Sequence, residues 1–170
     1  DHSFNELVDL AHQQEDRLKH IPAIQPVSDR DLKRIASMFG WRIDPISGRR
    51  TYHNGIDLSA NRGVPVFSSV DAVVKFTGWK QGYGRVIELD HGYGYTTLYA
   101  HLHKIEVTKG QSLTRGQRIG QVGSSGKSTG AHLHYEIIYR GQNIDPINYF
   151  FLDVTPEEYD RMIQEVASNQ

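Results

Sequence analysis

The stretch "TGAHLHYEIIYR" (residues 129–140) alternates polar and apolar side chains, as a half-buried β-strand does. Successive side chains of a strand point to opposite faces. His132 and His134 therefore share one face, while Leu133, Tyr135 and Ile137 line the other. The apolar face predicts a strand that packs on a core. The histidines alone leave two interpretations open: an ordinary exposed pair, or a pair that carries chemistry.

Composition narrows the classes of function that the chain can have. The 170 residues include 19 basic and 20 acidic side chains, and the net charge of −1 argues against a nucleic-acid binder held by a basic surface. A chain of this length buries a core without disulfides or a structural metal, so any bound metal is expected to serve chemistry. Because the sequence has no cysteine, metal ligands must come from His, Asp or Glu.

The pattern along the chain predicts a mainly β domain between two helical ends. Residues 52–139 form short alternating runs separated by glycine-bearing turns, which predicts a small antiparallel β-barrel or sandwich core. A heptad pattern over residues 4–21 predicts a helix, either the end of a coiled coil or a helix packed on the domain. A short helical turn is expected over residues 28–39, and a capping box at Thr155 and Glu158 predicts a C-terminal helix packed on the domain. The expected divisions are a helical segment and linker (1–37), the β domain (38–152) and the C-terminal helix (153–170).

A second motif, "HNGIDLS" (residues 53–59), places His53 and Asp57 four residues apart with Gly55 midway. In an extended chain all three share a face, so both ligands look the same way and glycine leaves room between them. Alone, the motif is better explained as a turn entering a strand. Combined with one histidine of the pair at 132 and 134, it supplies two imidazoles and one carboxylate. Such a set binds Zn²⁺ and leaves a fourth position for water.

The run "TTLYAHLHK" (residues 96–104) offers further histidines. If it is a strand, His101 and His103 share a face with Tyr99, and either histidine could reach a metal site. His103 and His91 are expected to be solvated on an edge strand. The run "GSSGKST" does not fit a phosphate-binding loop, because position 121 is Gln where that loop requires glycine.

These motifs together resemble the lysostaphin-like, LytM-type zinc metallopeptidases, which cleave peptide cross-links in bacterial peptidoglycan. The similarity runs from "FGWRIDP" to "NYFF", about two thirds of the chain, with the three histidine-bearing motifs in the family's order. It implies a small antiparallel β-barrel-like core with a groove for an extended peptide. It further implies one Zn²⁺ per chain, held by His53, Asp57 and His134, with His101 and His132 as the catalytic pair. Which of the two is the base and which stabilises the oxyanion stays open.

The resemblance also sets functional expectations. The expected activity is hydrolysis of peptidoglycan cross-links, with D-alanyl-diaminopimelate bonds favoured over glycine bridges. The alternative is a catalytically silent or autoinhibited scaffold that activates a cell-wall amidase. The N-terminal segment resembles a membrane-proximal coiled coil, so we expect an extracytoplasmic location, in the periplasm or cell envelope, and a full-length protein with a membrane anchor or a coiled-coil partner. Some relatives block the metal with an asparagine, so Asn54 or the loop "WRIDPISGRR" is a candidate cover for the zinc.

Overall fold

The computed structural model describes residues 20–128 and 130–150, together with isolated positions near the termini (Asn5, Val8, Asp9, His12, Gln13, Arg161 and Gln164). The helices expected at the two ends fall almost entirely outside the described residues, and both stay predictions. No helix within the described part of the chain is both long and apolar enough to cross a membrane.

Strands are the main regular structure of the described chain, which confirms the expectation of a mainly β protein. The elements are β1 (Arg34–Ser37), β2 (Gly40–Ile43), β3 (Arg50–His53), β4 (Ile56–Ser59), β5 (Pro65–Phe67), β6 (Ala72–Lys80), β7 (Gly84–Gly92), β8 (Tyr95–Leu102), β9 (Lys104–Ile105), β10 (Ser112–Leu113), β11 (Arg118–Gln121), β12 (His132–Tyr139), β13 (Gln142–Ile144) and the helix α1 (Ile147–Phe150).

The strands form one large sheet, a small sheet and a hairpin, and all described pairs are antiparallel. The large sheet runs in the order β1-β4-β12-β8-β7-β6-β10, with β13 added to β12. The small sheet is β5-β11-β9, and its Val66 and Ile119 pack into the same core cluster as Leu133 and Tyr135 of the large sheet. The hairpin is β2-β3. Of the expected barrel or sandwich core, the antiparallel β character is confirmed, but the described sheet is not a closed barrel, because its end strands β1 and β10 do not pair with each other.

The segment before the hairpin belongs to the body of the protein. Val27 is fully buried in the core cluster. The helical turn expected over residues 28–39 is restricted to its first residues, where the amides of Asp31 and Leu32 donate to the Ser28 carbonyl. The chain then enters β1, which pairs with β4 and packs Ile35 on the core. The alternating burial of β1 explains why a strand replaces the rest of the expected turn.

Buried polar groups form a connected network on the core side of the large sheet. The hydroxyls of Tyr99 and Tyr135 both lie within hydrogen-bonding distance of Ser69 Oγ, at 3.2 and 2.6 Å. Thr97 Oγ1 lies 2.9 Å from the Tyr99 hydroxyl and 2.6 Å from Nε2 of His91. Each of these buried groups therefore has a partner, as a polar network inside a core requires.

Candidate metal centre and active site

The two halves of the HNGIDLS motif come from different strands. His53 is the last residue of β3, residues 54 and 55 form a bend, and Asp57 lies in β4. The expected continuous extended chain is therefore wrong, although both side chains still point to one place. The glycine is required for another reason: a Cβ on Gly55 would collide with the backbone carbonyl of Tyr135. Because glycine has no Cβ, this bend can lie directly against β12.

Strand pairing brings the third candidate ligand to the first two. On β12, His134 lies directly opposite Asp57 of β4 in the antiparallel register. The face of β12 that carries His132 and His134 also carries Glu136, because the three residues occupy every second position of the strand. The opposite face places Tyr135 in the core. One strand therefore supplies both the core and the chemistry.

Three ligand atoms converge at this point. His134 Nδ1 lies 2.9 Å from Asp57 Oδ1 and 3.2 Å from His53 Nε2, and His53 Nε2 lies 3.3 Å from Asp57 Oδ1. Ligands bound tetrahedrally at about 2.0 Å from zinc are roughly 3.3 Å apart, so these separations fit such a site closely. The three side chains form a group that could hold a metal ion.

The remaining ring nitrogens of the two histidines are held by acceptors. His53 Nδ1 donates to the carbonyl of Met38 at 2.9 Å, and His134 Nε2 donates to Glu136 Oε2 at 2.7 Å. In a neutral ring, each contact holds the proton on the outer nitrogen and places the lone pair on the nitrogen that faces Asp57, where a bound metal would replace any proton shared with that carboxylate. Backbone carbonyls and carboxylates orient metal-binding histidines in this way in other proteins.

The charges around these atoms favour a cation at their centre. Burial would raise the pKa of Asp57, but hydrogen bonds to His134 and His53 outweigh it and hold that pKa well below its ordinary value. Burial would likewise lower the pKa of His134, yet its bonds to Asp57 and Glu136 raise it to about 9. Two buried carboxylates on one imidazole thus create a site where positive charge is stabilised.

Two further imidazoles lie beside the three ligands. The rings of His101 and His132 are 4.8 Å apart between centroids, and His132 Nε2 lies 3.7 Å from Asp57 Oδ1. His101 Nδ1 donates to the Ser125 carbonyl at 2.7 Å, and His132 Nδ1 donates to the Gly130 carbonyl at 2.9 Å. A neutral ring in either position therefore keeps an Nε2 lone pair available. Burial lowers the pKa of His101 to about 4, which keeps its ring neutral near neutral pH.

An irregularity in β8 directs the side chain of His101 toward the site. In the pairing of β12 with β8, Ala100 lies opposite His134, whereas Tyr99 lies opposite Tyr135 on the core face. The sequence predicts that His101 shares a face with Tyr99, and regular alternation would turn that face toward the core. Instead His101 has φ +59°, and the pairing of β8 with β7 shifts register at this end. A bulge re-aims one side chain in this way.

A cavity of about 240 Å³ opens over these residues. The turn of the β2-β3 hairpin forms part of its wall, and Lys127 from the opposite side reaches Asp44 of that turn at 3.1 Å. Asn54 also lines the cavity, and its backbone carbonyl accepts a hydrogen bond from Asn143 at 2.9 Å. Both segments suggested as covers for the zinc thus line this cavity.

Sequence reasoning missed Glu136 and misplaced His91. The signal for Glu136 was present, since it continues the two-residue spacing of His132 and His134. His91 is not solvated as expected: it is 1% exposed and joins the buried network, because β7 is an inner strand of the sheet. His103 is exposed beside Arg62, outside the cavity lining, as expected.

Comparison with known proteins gives the following similarities. Residues 51–146 match Peptidase family M23. The peptidoglycan DD-endopeptidase ShyA of Vibrio cholerae serotype O1 is 46% identical over 116 residues, which cover 68% of this chain and 26% of that protein. The chain thus spans about a quarter of the length of this curated relative.

Solved structures share the fold. A zinc-containing peptidase from Vibrio cholerae has a TM-score of 0.66 at 38% identity, over 71% of this chain and 37% of that one. The catalytic domain of the antimicrobial peptidase lysostaphin from Staphylococcus simulans has a TM-score of 0.62 at 29% identity, over 72% of this chain and 93% of that one. These findings confirm the resemblance drawn from the motifs.

Proposed function

The chain belongs to peptidase family M23, and from this we propose that it is a zinc-dependent endopeptidase that hydrolyses the peptide cross-links of bacterial peptidoglycan during cell-wall remodelling. The bond we propose is D-alanyl-diaminopimelate, which makes the protein a DD-endopeptidase. Its similarity to a peptidoglycan DD-endopeptidase supports this choice over glycine bridges.

One observation carries the proposal: the site holds two sets of groups with different chemical capacities. His53, Asp57 and His134 converge to within metal-binding distance. His101 and His132 lie beside them, each with an Nε2 that no carbonyl occupies. A scaffold that only activates an amidase needs neither set, and no observation in the described chain favours that alternative.

We assign one Zn²⁺ per chain to His53, Asp57 and His134. When bound there, zinc supplies a Lewis acid that polarises a carbonyl and lowers the pKa of water to near neutral. Glu136 and the Met38 carbonyl keep the two histidine ligands in the required tautomers.

The chain's own residues carry the proton transfers in this proposal. One ring of the pair His101 and His132 accepts the proton of the attacking water at Nε2. The imidazolium formed in this way returns that proton to the departing amine, and the second ring, in its protonated form, donates a hydrogen bond from Nε2 to the developing oxyanion. The carbonyls of Ser125 and Gly130 hold Nδ1 of each ring and so keep Nε2 directed to the substrate. The division of roles between the two histidines is left open.

The substrate in turn favours an extracytoplasmic location, in the periplasm or cell envelope, because peptidoglycan lies outside the cytoplasm. A membrane anchor and a coiled-coil partner in the full-length protein stay predictions, since the N-terminal segment that suggested them falls almost entirely outside the described residues.

Digestion of defined sacculi followed by mass spectrometry tests the proposal. The zinc-loaded protein should convert cross-linked muropeptides into uncross-linked ones cut at the D-alanyl-diaminopimelate bond. Chelation should stop the digestion and added Zn²⁺ should restore it. Intact cross-links after prolonged digestion by the zinc-loaded protein would rule out the proposed activity, and products cut elsewhere would rule out the proposed bond.

A further inference from the structure

The β2-β3 hairpin has a half-buried face and an exposed face. In its register Gly40 lies opposite His53, and Arg42 lies opposite Thr51. These residues are partly or fully buried, whereas Trp41, on the other face, is 65% exposed. Arg42 is two residues from Gly40, about 7 Å along the strand, and it lines the same cavity as His53.

The guanidinium of Arg42 has no counterion in the part of the chain that the structure describes. Its Nε is buried and makes no hydrogen bond, and no ion pair joins Arg42 to a described carboxylate. A buried N–H without a partner costs free energy, so such a group calls for an explanation.

The other charged side chains of the cavity wall already have partners within the protein. Lys127 pairs with Asp44 at 3.1 Å. Asp57 is bound to His134 and His53. Arg42 is thus the cation of this wall that lacks a partner. A planar guanidinium with parallel N–H groups matches a carboxylate, which it binds through two charge-assisted hydrogen bonds.

We propose that Arg42 binds the free carboxylate that lies next to the scissile bond, on the carbon that carries the departing nitrogen. This inference rests on the proposed function, since a D-alanyl-diaminopimelate link has that carboxylate and a glycine bridge has no charged group there. Arg42 lines the same cavity as the proposed metal ligands and the two further histidines, so the anion that it meets is the one nearest the reacting carbonyl. Arg42 then determines which cross-link is accepted.

Two matched substrates test the inference: a D-alanyl-diaminopimelate cross-linked dimer, and the same dimer with the adjacent carboxylate converted to a carboxamide. The wild-type protein should show a kcat/KM at least about 10-fold higher for the carboxylate dimer, the range of a charged hydrogen-bonded pair. In Arg42→Gln that ratio should fall to near one, and in Arg42→Lys it should be intermediate. Arg50→Gln is the control, because Arg50 stacks over Trp41 on the outer face of the same hairpin.

Zinc content and Kd separate the possible outcomes. Equal zinc content in all variants shows that the metal site is intact. The Kd values of the two dimers, measured with chelator-treated protein, report the preference for the carboxylate dimer whether or not the bond is cut. An unchanged selectivity in Arg42→Gln, or none in the wild type, would overturn the role of Arg42 while hydrolysis of the dimer upheld the proposed function. Selectivity in Kd that depends on Arg42, without hydrolysis, would support Arg42 and count against the proposed function.

Discussion

At the scale of single residues, His134 has the most closely constrained side chain of the candidate metal ligands, because both of its ring nitrogens contact carboxylates. One of its nitrogens faces Asp57 and the other donates to Glu136. The hydrogen bond from His134 outweighs the effect of burial and lowers the pKa of Glu136, so this carboxylate is charged at neutral pH. A carboxylate that accepts from the outer N–H makes the inner nitrogen a better ligand.

We expect Glu136→Gln to weaken zinc binding by roughly 10- to 100-fold, because the amide can accept the hydrogen bond but lacks the charge. Competition with a chromogenic chelator measures the affinity. Glu106→Gln is the matched control, since Glu106 pairs with Arg118 of the small sheet, lies outside the cavity lining and should leave zinc affinity unchanged. Equal affinity in both variants would show that Glu136 does not act on the metal ligand.

The two groups of site residues should separate by metal content. His101→Ala and His132→Ala should keep zinc but lose about 10²- to 10⁴-fold in kcat, because each removes a proton-transfer group. His53→Ala, Asp57→Ala and His134→Ala should instead lose the metal itself. Atomic absorption and muropeptide release measure the two effects, with exposed His103→Ala as the control. Full activity in either His101→Ala or His132→Ala would remove that residue from the catalytic pair.

Residue-level prediction succeeded where spacing carries the information. Strand parity placed His132 and His134 on one face, and the resemblance then assigned them different roles. The same parity would have found Glu136. Arg42 was out of reach, because its significance lies in the partner it lacks, and only the packing of the hairpin reveals that.

At the scale of elements, the end of β8 depends on a close contact between two glycine-bearing turns. A Cβ on Gly84 would run into the backbone of Ser125, and one on Gly126 would run into Gly84. Ser125 in turn accepts the hydrogen bond of His101. The positive φ of His101 costs about 1–3 kcal/mol, which this packing must offset.

Gly84→Ala should therefore reduce both stability and activity. The positive φ of +69° disfavours alanine by about 1–2 kcal/mol, and displacement of the Ser125 backbone adds to this and moves His101. Gly110→Ala is the control, because Gly110 has a similar φ of +89° but nothing within 4 Å of its Cβ position. Urea unfolding and kcat should show a larger stability loss for Gly84→Ala and a loss of kcat in that variant alone. Equal effects in both would exclude the contact with Ser125.

Alternation and glycine-bearing turns predicted the strands themselves. They could not predict the bulge, since nothing in the local pattern of β8 shows that a histidine adopts a left-handed backbone. That conformation depends on contacts from residues 84 and 123–126, which are distant in sequence.

At the scale of the whole molecule, His91 links folding to pH. Burial lowers its pKa to about 4, although its bond to the Asp71 carbonyl and the nearby charge of Asp90 favour the protonated form. In the unfolded chain the pKa returns to about 6.5, so the unfolded state binds more protons between these values. This contribution to stability is complete above pH 6.5 and is lost as the pH falls toward 4.

The wild-type protein should lose roughly 3 kcal/mol of this contribution between pH 6.5 and pH 4. His91→Gln, which cannot become charged, should show a shallower decline in the free energy of unfolding over that range. The exposed His103→Gln should follow the wild type. Denaturant unfolding at several pH values measures the slopes, and the difference between variants isolates His91 from other groups such as His101. Parallel slopes for wild type and His91→Gln would contradict the buried, neutral state.

The sequence predicted an antiparallel β architecture, but it could not predict whether the sheet closes into a barrel. Antiparallel strands and a packed core followed from the alternation, yet periodicity does not record whether two end strands meet. The end of the sheet is set by the long-range pairing of β1 with β4, and residues 34–37 contain no local signal for that pairing.

The pairing of His134 with Asp57 has a consequence for how the chain selects its native alignment. A strand slipped by two residues keeps its apolar side inward, so burial alone discriminates weakly between such alignments. The ligand set discriminates strongly, because it assembles in one alignment only. A metal held by these three side chains would add its binding free energy to that alignment alone. Metal content would then distinguish correctly aligned molecules from slipped ones.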